Sequence, residues 1–250
     1  MSERPVAIII GASSGVGRAL AVEFAKKSHD LVLLARSERD LSALARDLNI
    51  KFDVRVQIIA KDLGPSADYE EITKTCLEKA GGRPKVILFP IGSVAEEDEG
   101  VPSPQKIQQL MYTNFISVAE LITRFGGYLQ KNGLGCTVVV FSSIAACVPR
   151  KKNVIYASAK KALEFLSESL QLSLGDGNIS LQVYALGYVD TMMSFGKKLY
   201  LPAVAPSGVA QCVAKNIHKG HRFVYYPRYW TALTLMLKWM PAFLRRRSAF

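Results

Sequence analysis

A tyrosine and a lysine four residues apart offer acid–base chemistry. Tyr156 and Lys160 lie in a stretch of helical periodicity, so their side chains emerge on one face, one turn apart. A phenol has a pKa of about 10, and a nearby ammonium stabilises its phenolate so that protons exchange nearer neutral pH. Ser143 ends the preceding predicted strand and can donate a hydrogen bond to a substrate oxygen beside the phenol. The tyrosine and lysine alone would fit an ordinary surface helix, but with Ser143 they predict a proton-transfer site.

A glycine-rich segment near the N-terminus predicts a second function, the binding of a pyrophosphate. The sequence from Gly11 to Gly17 reads GASSGVG and lies between an apolar strand and an amphipathic helix. Glycines permit positive φ and close approach of the backbone, and free N–H groups at a helix N-terminus attract an anion. A purely structural turn is the alternative. The residues expected to bind a dinucleotide here are Gly11, Ser13, Ser14, Gly15, Val16 and Gly17.

The end of the second predicted strand indicates which dinucleotide is bound. A site that prefers NAD usually places a carboxylate there to bind the ribose hydroxyls, whereas this chain has Ala35 and Arg36. The guanidinium fork of Arg36 suits a 2′-phosphate and can stack on adenine, so we expect NADP(H) as the cofactor. A solvated surface arginine is the alternative. Asp62 and Leu63 follow the third predicted strand and are expected beside the adenine, although Asp62 would also suit the cap of a helix.

Alternating strands and helices are predicted to position these residues. Apolar runs bounded by turn residues predict strands at 6–10, 31–34, 55–60, 85–89, 137–141, 181–185 and 222–226. Helical periodicity covers 15–28, 38–48, 67–80, 104–130, 153–174 and 207–218. This alternation, with strands that are apolar on both faces, predicts an α/β fold of the Rossmann type, a doubly wound parallel sheet of about seven strands. We expect one catalytic domain over residues 1–228 and an amphipathic basic tail over 229–250.

Across residues 5–226 the sequence resembles the short-chain dehydrogenase/reductase family, through its GASSGVG loop, Asn114, Ser143, Tyr156 and Lys160. The resemblance implies that Tyr156 is the general acid/base, that Lys160 lowers its pKa and binds the nicotinamide ribose, and that Ser143 orients a carbonyl. It also implies a proton-relay water held by Asn114 at a helix kink, and the strand order 3-2-1-4-5-6-7. Further cofactor contacts are implied for Gly92, Gly187, Val189 and Thr191.

Two segments depart from the family pattern. FPIG at 89–92 stands where the family has NNAG, and LG at 186–187 stands where it has PG. The first variant, the basic cluster RKK at 150–152 and the C-terminal sequence are similar to those of polyprenyl-phosphoryl 2-keto-pentose reductases, the ketone-reducing half of the decaprenylphosphoryl-ribose epimerase pair. That resemblance implies NADPH-dependent reduction of a lipid-linked keto-sugar. The alternatives are reduction of 3-ketosphinganine, a fatty ketone or a steroid-like ketone, and a non-catalytic NADP-binding regulatory protein.

An apolar loop over residues 192–206 is expected to cover the substrate. It contains two cations, Lys197 and Lys198, beside aromatic and aliphatic side chains. This composition would suit a lipid-linked phosphate, and an ordinary hydrophobic lid with solvated lysines is equally compatible with it.

The positive charge of the chain is concentrated at its C-terminal end. The net charge is +11, and residues 191–250 contain ten Lys+Arg and no Asp or Glu. Trp230 and Trp239 flank an apolar run that three arginines at 245–247 follow, which suits peripheral contact with an anionic membrane. An arm packed on a neighbouring subunit of a homo-oligomer is the alternative. Nucleic acid is not expected as a partner, because no recognised binding motif accompanies the charge.

Metal chemistry and export are not indicated. The cysteines Cys76, Cys136, Cys147 and Cys212 form no CxxC pair and have no histidine at ligand spacing, so no metal site is expected. The N-terminus leads into a strand without a signal-peptide pattern. We therefore expect a cytoplasmic protein, with peripheral contact to the cytoplasmic face of a membrane.

Overall fold

Seven strands form a single sheet at the centre of the molecule. A computed structural model describes residues 4–95, 98–174, 178–196 and 199–239 of the chain. Neighbouring strands are all parallel and lie in the order β3-β2-β1-β4-β5-β6-β7, as the family resemblance implied. The strands are β1 (Val6–Ile10), β2 (Asp30–Ala35), β3 (Val56–Ala60), β4 (Val86–Phe89), β5 (Cys136–Ser143), β6 (Ile179–Leu186) and β7 (Arg222–Tyr226).

Helices cover both faces of this sheet. They are α1 (Gly15–Lys26), α2 (Glu38–Phe52), α3 (Tyr69–Lys79), α4 (Pro104–Met111), α5 (Ser117–Lys131), α6 (Val154–Leu174), α7 (Pro206–Asn216) and α8 (Tyr229–Trp239). One core packs α1, α2 and α7 against one face, and a second core packs α3, α5 and α6 against the other. In β1, Ile9 belongs to the first core and Ile8 to the second. Burial on both faces explains why the strands read as unbroken apolar runs.

Side-chain caps define where several helices begin. Ser37 Oγ accepts a hydrogen bond from the Asp40 N–H at 3.3 Å, at the start of α2. The start of α3 is capped by Asp68, whose carboxylate accepts from the Glu71 N–H at 2.9 Å. The helix-cap alternative for Asp62 is therefore wrong, because Asp68 occupies that position. Each cap satisfies a backbone N–H that the helix itself leaves without a partner.

The helix predicted over 104–130 is interrupted in the structure. A π-helical turn, Tyr112–Ile116, separates α4 from α5 and contains Asn114. Turns of this kind insert an extra residue per turn and often occur at functional sites. The position of the turn agrees with the helix kink that the family resemblance implied at Asn114, whereas periodicity alone gave one continuous helix.

The predicted tail begins as a helix that packs on the body of the protein. Trp230, Thr234 and Leu237 form the buried side of α8, at spacings of four and three residues. Trp230 is only 2% exposed. The expectation that Trp230 lies at a membrane surface is therefore wrong, because its ring is buried inside the protein. The arginines at 245–247 and the loop lysines Lys197 and Lys198 lie outside the described residues.

Within the residues that the structure describes, no helix is both long enough and apolar enough to cross a bilayer.

Candidate active site

The predicted site residues converge at the carboxyl ends of the strands. Two adjoining cavities of about 630 and 900 Å³ share Ser14, Pro90, Ile91 and Gly92 in their walls, and so form one elongated crevice. One end is lined by Gly15, Val16, Ser143, Tyr156, Lys160, Gly187, Val189 and Thr191. The other end is lined by Gly11, Ser13, Arg36, Asp62 and Leu63. This is the position in which open α/β sheets bind their ligands.

The glycine loop in the middle of the crevice leaves room for a pyrophosphate. Gly11 and Gly15 adopt positive φ values of +104° and +49°. A Cβ on Gly17 would lie 2.0 Å from the Gly11 carbonyl oxygen, so only glycine fits where α1 passes under the loop. Ser14 stands at the N-cap of α1 in an extended conformation, and its side chain makes no capping hydrogen bond. The backbone at this helix N-terminus is thus open towards the crevice, which fits a dinucleotide.

At the far end of the crevice, Arg36 extends from the end of β2 into solvent. Its side chain is 84% exposed, and its Nε lies 3.9 Å from a carboxylate oxygen of Asp62. Such a long and exposed ion pair stabilises the fold little. The guanidinium fork is therefore available to a phosphate on a ligand bound beside Asp62 and Leu63.

At the near end, the side chains of Ser143 and Tyr156 line the same cavity. Ser143 closes β5 and Tyr156 lies in the first turn of α6, so the parallel-sheet crossover brings them together. Burial raises the pKa of Tyr156, while the polar side chain of Ser143 and the charge of Arg150 act in the opposite direction. The net effect keeps the phenol protonated, in the form that can donate a proton.

Lys160 lies one helical turn beyond the tyrosine and is 2% exposed. Its ammonium donates to the Ile91 carbonyl at 2.8 Å and to the Phe141 carbonyl at 2.9 Å, and lies 5.9 Å from the centre of the Tyr156 ring. Burial lowers the pKa of Lys160 to about 7. The two carbonyls fix the ammonium in the wall of the cavity that contains Tyr156, beside Ile91, which lines both cavities. The expected effect of Lys160 on the tyrosine's pKa stays a prediction.

Asn114 lies behind the crevice wall and is fully buried. Its side chain accepts from the Ser93 N–H and donates to the Ser93 and Leu110 carbonyls, each at 2.9 Å. A Cβ on Gly92 would approach both Asn114 Oδ1 and Lys160 Nζ to 3.6 Å. Asn114 therefore holds the loop that carries Gly92 against the π-helical turn. The implied relay water remains a prediction.

Comparison with known proteins agrees with this geometry. Residues 5–198 match the family described as short chain dehydrogenase. The chain belongs to this family. It is therefore an oxidoreductase, with the glycine loop, Ser143, Tyr156 and Lys160 placed along one crevice.

Relatives of this short-chain dehydrogenase include both curated sequences and solved structures. Hydroxysteroid 11-beta-dehydrogenase 1-like protein A of Xenopus laevis is 26% identical over 96% of this chain and 84% of its own length. The human hydroxysteroid 11-beta-dehydrogenase 1-like protein is 31% identical over 73% of this chain and 58% of its own length. A short-chain dehydrogenase from Sphingobium yanoikuyae, solved in complex with NADPH, superposes with a TM-score of 0.80 at 26% identity, covering 95% of this chain and 97% of that one.

Asp98 is a site residue that sequence reasoning missed. It is 1% exposed and lies in the loop between β4 and α4. Its carboxylate accepts from the Ile155 N–H at 2.8 Å and the Tyr156 N–H at 2.9 Å, and its carbonyl accepts from the Asn153 N–H at 2.6 Å. Asp98 thus caps the helix that carries the tyrosine. No local signal could reveal this, because the cap and the helix are more than fifty residues apart.

Trp230 supports the opposite wall of the site. A Cβ on Gly187 would lie 2.0 Å from Trp230 Nε1, so the indole occupies the space of a side chain at that position. Tyr188 contacts the same indole edge-on, with ring centres 5.8 Å apart. Thr191 follows on this segment, and a Cβ on Gly15 would lie 3.1 Å from its methyl group. Helix α8 is therefore part of the structure that shapes the crevice.

Proposed function

We propose that this protein is an NADPH-dependent carbonyl reductase that converts a ketone to a secondary alcohol, with Tyr156 as the proton donor. The observation that carries this proposal is that Ser143 and Tyr156 lie together in the wall of the cavity that begins at the glycine loop. Reduction needs a protonated phenol, and burial favours that form of Tyr156.

The residues divide the proposed reaction between them. When bound, the reduced nicotinamide supplies a hydride to the carbonyl carbon. Ser143 Oγ donates a hydrogen bond to the ketone oxygen and so holds it beside Tyr156 Oη. As the oxygen gains negative charge, Tyr156 transfers its proton to it, which completes the alcohol. Lys160 is fixed by two carbonyls in the wall of the cavity that contains Tyr156, where its ammonium can hold a ribose hydroxyl and stabilise the phenolate.

The cofactor assignment to NADP(H) is supported from two directions. Arg36 is exposed at the end of β2, where its fork can form a charge-assisted pair with a 2′-phosphate. The related Sphingobium yanoikuyae enzyme was solved with NADPH. The close packing of Gly17 against the glycine loop agrees with a pyrophosphate bound between the two ends of the crevice.

For the substrate we propose an amphiphilic or lipid-linked ketone, with a polyprenyl-phosphoryl keto-sugar as the first candidate. The cavity beside Tyr156 has about 630 Å³, within the usual range for small-molecule sites. Val94, Ile144, Met193 and Leu199 give it an apolar wall. A steroid-like or fatty ketone, including 3-ketosphinganine, is the second candidate, because the curated relatives are named for hydroxysteroid dehydrogenation.

A panel of ketones tests the proposal. NADPH oxidation would be followed with neutral aliphatic, steroidal and polyprenyl-phosphoryl ketones, and with NADH as the matched cofactor control. We expect turnover of at least one amphiphilic ketone with NADPH. Failure to oxidise NADPH with any of them, despite tight NADPH binding, would instead favour a non-catalytic regulatory protein. Mass spectrometry of lipid extracts from cells that lack the protein would then look for an accumulating keto intermediate.

We also propose that the C-terminal segment holds the enzyme at an anionic membrane surface. On α8, Met236 is 58% exposed and Trp239 is 86% exposed, and the arginines at 245–247 follow in the sequence. Each basic residue near anionic lipid contributes about 1 kcal/mol, so three would change partitioning by roughly two orders of magnitude.

The membrane proposal needs variants that leave the buried side of α8 intact, because Trp230 supports the crevice. A variant that combines Trp239→Ser with Arg245→Ser, Arg246→Ser and Arg247→Ser meets this condition. We expect the wild-type protein to cosediment with anionic but not neutral liposomes at low salt, and this variant to remain in solution. If instead the variant changes the oligomer mass in light scattering and the wild type binds no liposomes, the segment is a subunit arm of a homo-oligomer.

A further inference from the structure

Arg150 is a cation in the substrate cavity whose hydrogen bonds the protein leaves incomplete. It lies in the loop between β5 and α6 and lines the same cavity as Ser143 and Tyr156. Its Nε is buried and has no hydrogen-bond partner. A buried N–H without an acceptor is unfavourable, and nearly all such groups in folded proteins are paired. The described residues give the guanidinium of Arg150 neither a hydrogen bond nor an ion pair, so this side chain in the cavity wall can take an acceptor from a ligand.

The charge of Arg150 acts where the substrate would lie. It lowers the pKa of Tyr156 and also that of Tyr188, against the larger effect of burial on each. These two phenols line the cavity from different elements, α6 and the segment after β6. Because the guanidinium and the reacting hydroxyl line the same cavity, one small molecule bound there can contact both.

Within the part of the chain that the structure describes, no acidic side chain forms an ion pair with Arg150. Among the described residues no ion pair involves Arg150, whereas its neighbour Lys152 lies 3.9 Å from Glu99. The buried carboxylate of Asp98 is already engaged by the N–H groups of Ile155 and Tyr156. Among the described residues that line the cavity, one is acidic, Asp190, and it is exposed to solvent. Among the described residues Asp190 forms no ion pair with Arg150, so the guanidinium remains available to a ligand beside the apolar wall.

We infer that Arg150 binds an oxyanion, a phosphate or a carboxylate, carried by the ketone substrate itself. This inference rests on the proposed reductase function and narrows its substrate class to anionic amphiphilic ketones. An arginine fork binds such a group through two parallel charge-assisted hydrogen bonds. The apolar wall takes the hydrocarbon part of the same molecule. A neutral steroid would leave the guanidinium unpaired, which disfavours the second candidate of the preceding section.

Matched substrates test the assignment. Oxoalkanoates of increasing chain length would be compared with their methyl esters, which lack the charge and add one methyl group, and with the corresponding oxoalkyl phosphates. For the best chain length we expect the wild type to favour the anion over its ester at least about tenfold in kcat/KM. Arg150→Met should lower kcat/KM for the anions by about tenfold to a hundredfold, mainly through KM, and change the esters less than about twofold.

The matched control is Lys151→Met, which removes one positive charge from the adjacent, exposed position. This variant should keep the preference for anions. If the preference came only from the general positive charge of the loop, Lys151→Met would reduce it as well. Arg150→Lys keeps the charge but loses the planar fork, and should recover only part of the KM effect. It also serves as the test if the methionine variant does not fold. The relative rates of carboxylate and phosphate substrates identify which oxyanion is bound.

A measurement without turnover separates this inference from the proposed function. Inorganic phosphate would be titrated into the NADPH-saturated enzyme by calorimetry, so that the cofactor already fills the glycine loop. We expect binding to the wild type and to Lys151→Met, and its loss in Arg150→Met. Equal rates with anions and esters, together with phosphate binding that does not depend on Arg150, would overturn the inference while the reductase function stands. Phosphate binding that depends on Arg150, with no reduction of any ketone, would support the anion site and overturn the reductase function.

Discussion

The carboxylate of Asp98 is predicted to position the proton donor. Two of its hydrogen bonds, at 2.8 and 2.9 Å, reach backbone N–H groups in the first turn of α6, the second of them on Tyr156 itself. Hydrogen bonds to a charged group stabilise by about 1.5–3 kcal/mol each, and a helix cap by about 0.5–2 kcal/mol. Because the two bonds share one carboxylate, we expect Asp98→Ala to lower the free energy of unfolding by about 3 kcal/mol. For a protein of this size that corresponds to a fall in Tm of about 6–12 °C.

The effect on activity distinguishes positioning from simple stabilisation. Well below the Tm of the variant, kcat should fall by about tenfold to a hundredfold, because a small displacement of a reacting group is costly. The dissociation constant for NADPH should stay within about twofold of the wild type. Asp68→Ala is the matched control, since Asp68 caps α3 with one bond at 2.9 Å outside the crevice. It should lower the Tm by about 2–4 °C and leave kcat unchanged. If Asp98→Ala also left kcat unchanged, the positioning role would be refuted.

Three further perturbations follow from the crevice. Arg36→Asp should weaken NADPH binding at least about tenfold in calorimetry without weakening NADH, because a paired charge becomes a repulsive one; equal affinities of the wild type for both cofactors would contradict the assignment. Lys160 has a pKa of about 7 in the folded chain against 10.5 in model compounds, so the unfolded chain binds more protons between these values and the free energy of unfolding rises with pH there. In Lys160→Met, the free energy of unfolding measured in urea should not rise with pH in this way. The same dependence on pH in both proteins would contradict the lowered pKa of Lys160. Gly187→Ala places a Cβ against the Trp230 indole and should lower the free energy of unfolding by about 1–3 kcal/mol. A urea midpoint equal to that of the wild type would instead show that α8 shifts without cost to accommodate the methyl group.

Local sequence patterns were sufficient to predict the elements that carry the site and their main chemical groups. The glycine loop, the strands bounded by turn residues and the pair Tyr156 and Lys160 each depend on a few consecutive residues. Their chemistry is therefore readable before the fold is known. Parallel strands then bring their carboxyl ends to one edge, so Ser143 and the glycine loop had to lie near the same crevice.

Contacts between distant segments could not be predicted in the same way. Asp98 follows two acidic residues in the sequence and resembles part of a solvated charge run, yet it is buried on α6. Trp230 has the surroundings of a membrane anchor, but the absence of a side chain at Gly187 gives its ring a place in the core. The π-helical turn at Asn114 shifts the helical period only over five residues, which periodicity over a long window averages out.

The central claim is that Tyr156 donates the proton in ketone reduction, and one variant tests it most directly. Tyr156→Phe keeps the ring and the packing of α6 but removes the hydroxyl that faces the cavity beside Ser143. Single-turnover reduction of the best ketone from the panel would be measured with saturating NADPH, beside calorimetric titration of the cofactor. We predict a fall in the reduction rate of at least about a hundredfold, with NADPH affinity unchanged within about twofold. A near-normal rate in this variant would contradict the claim.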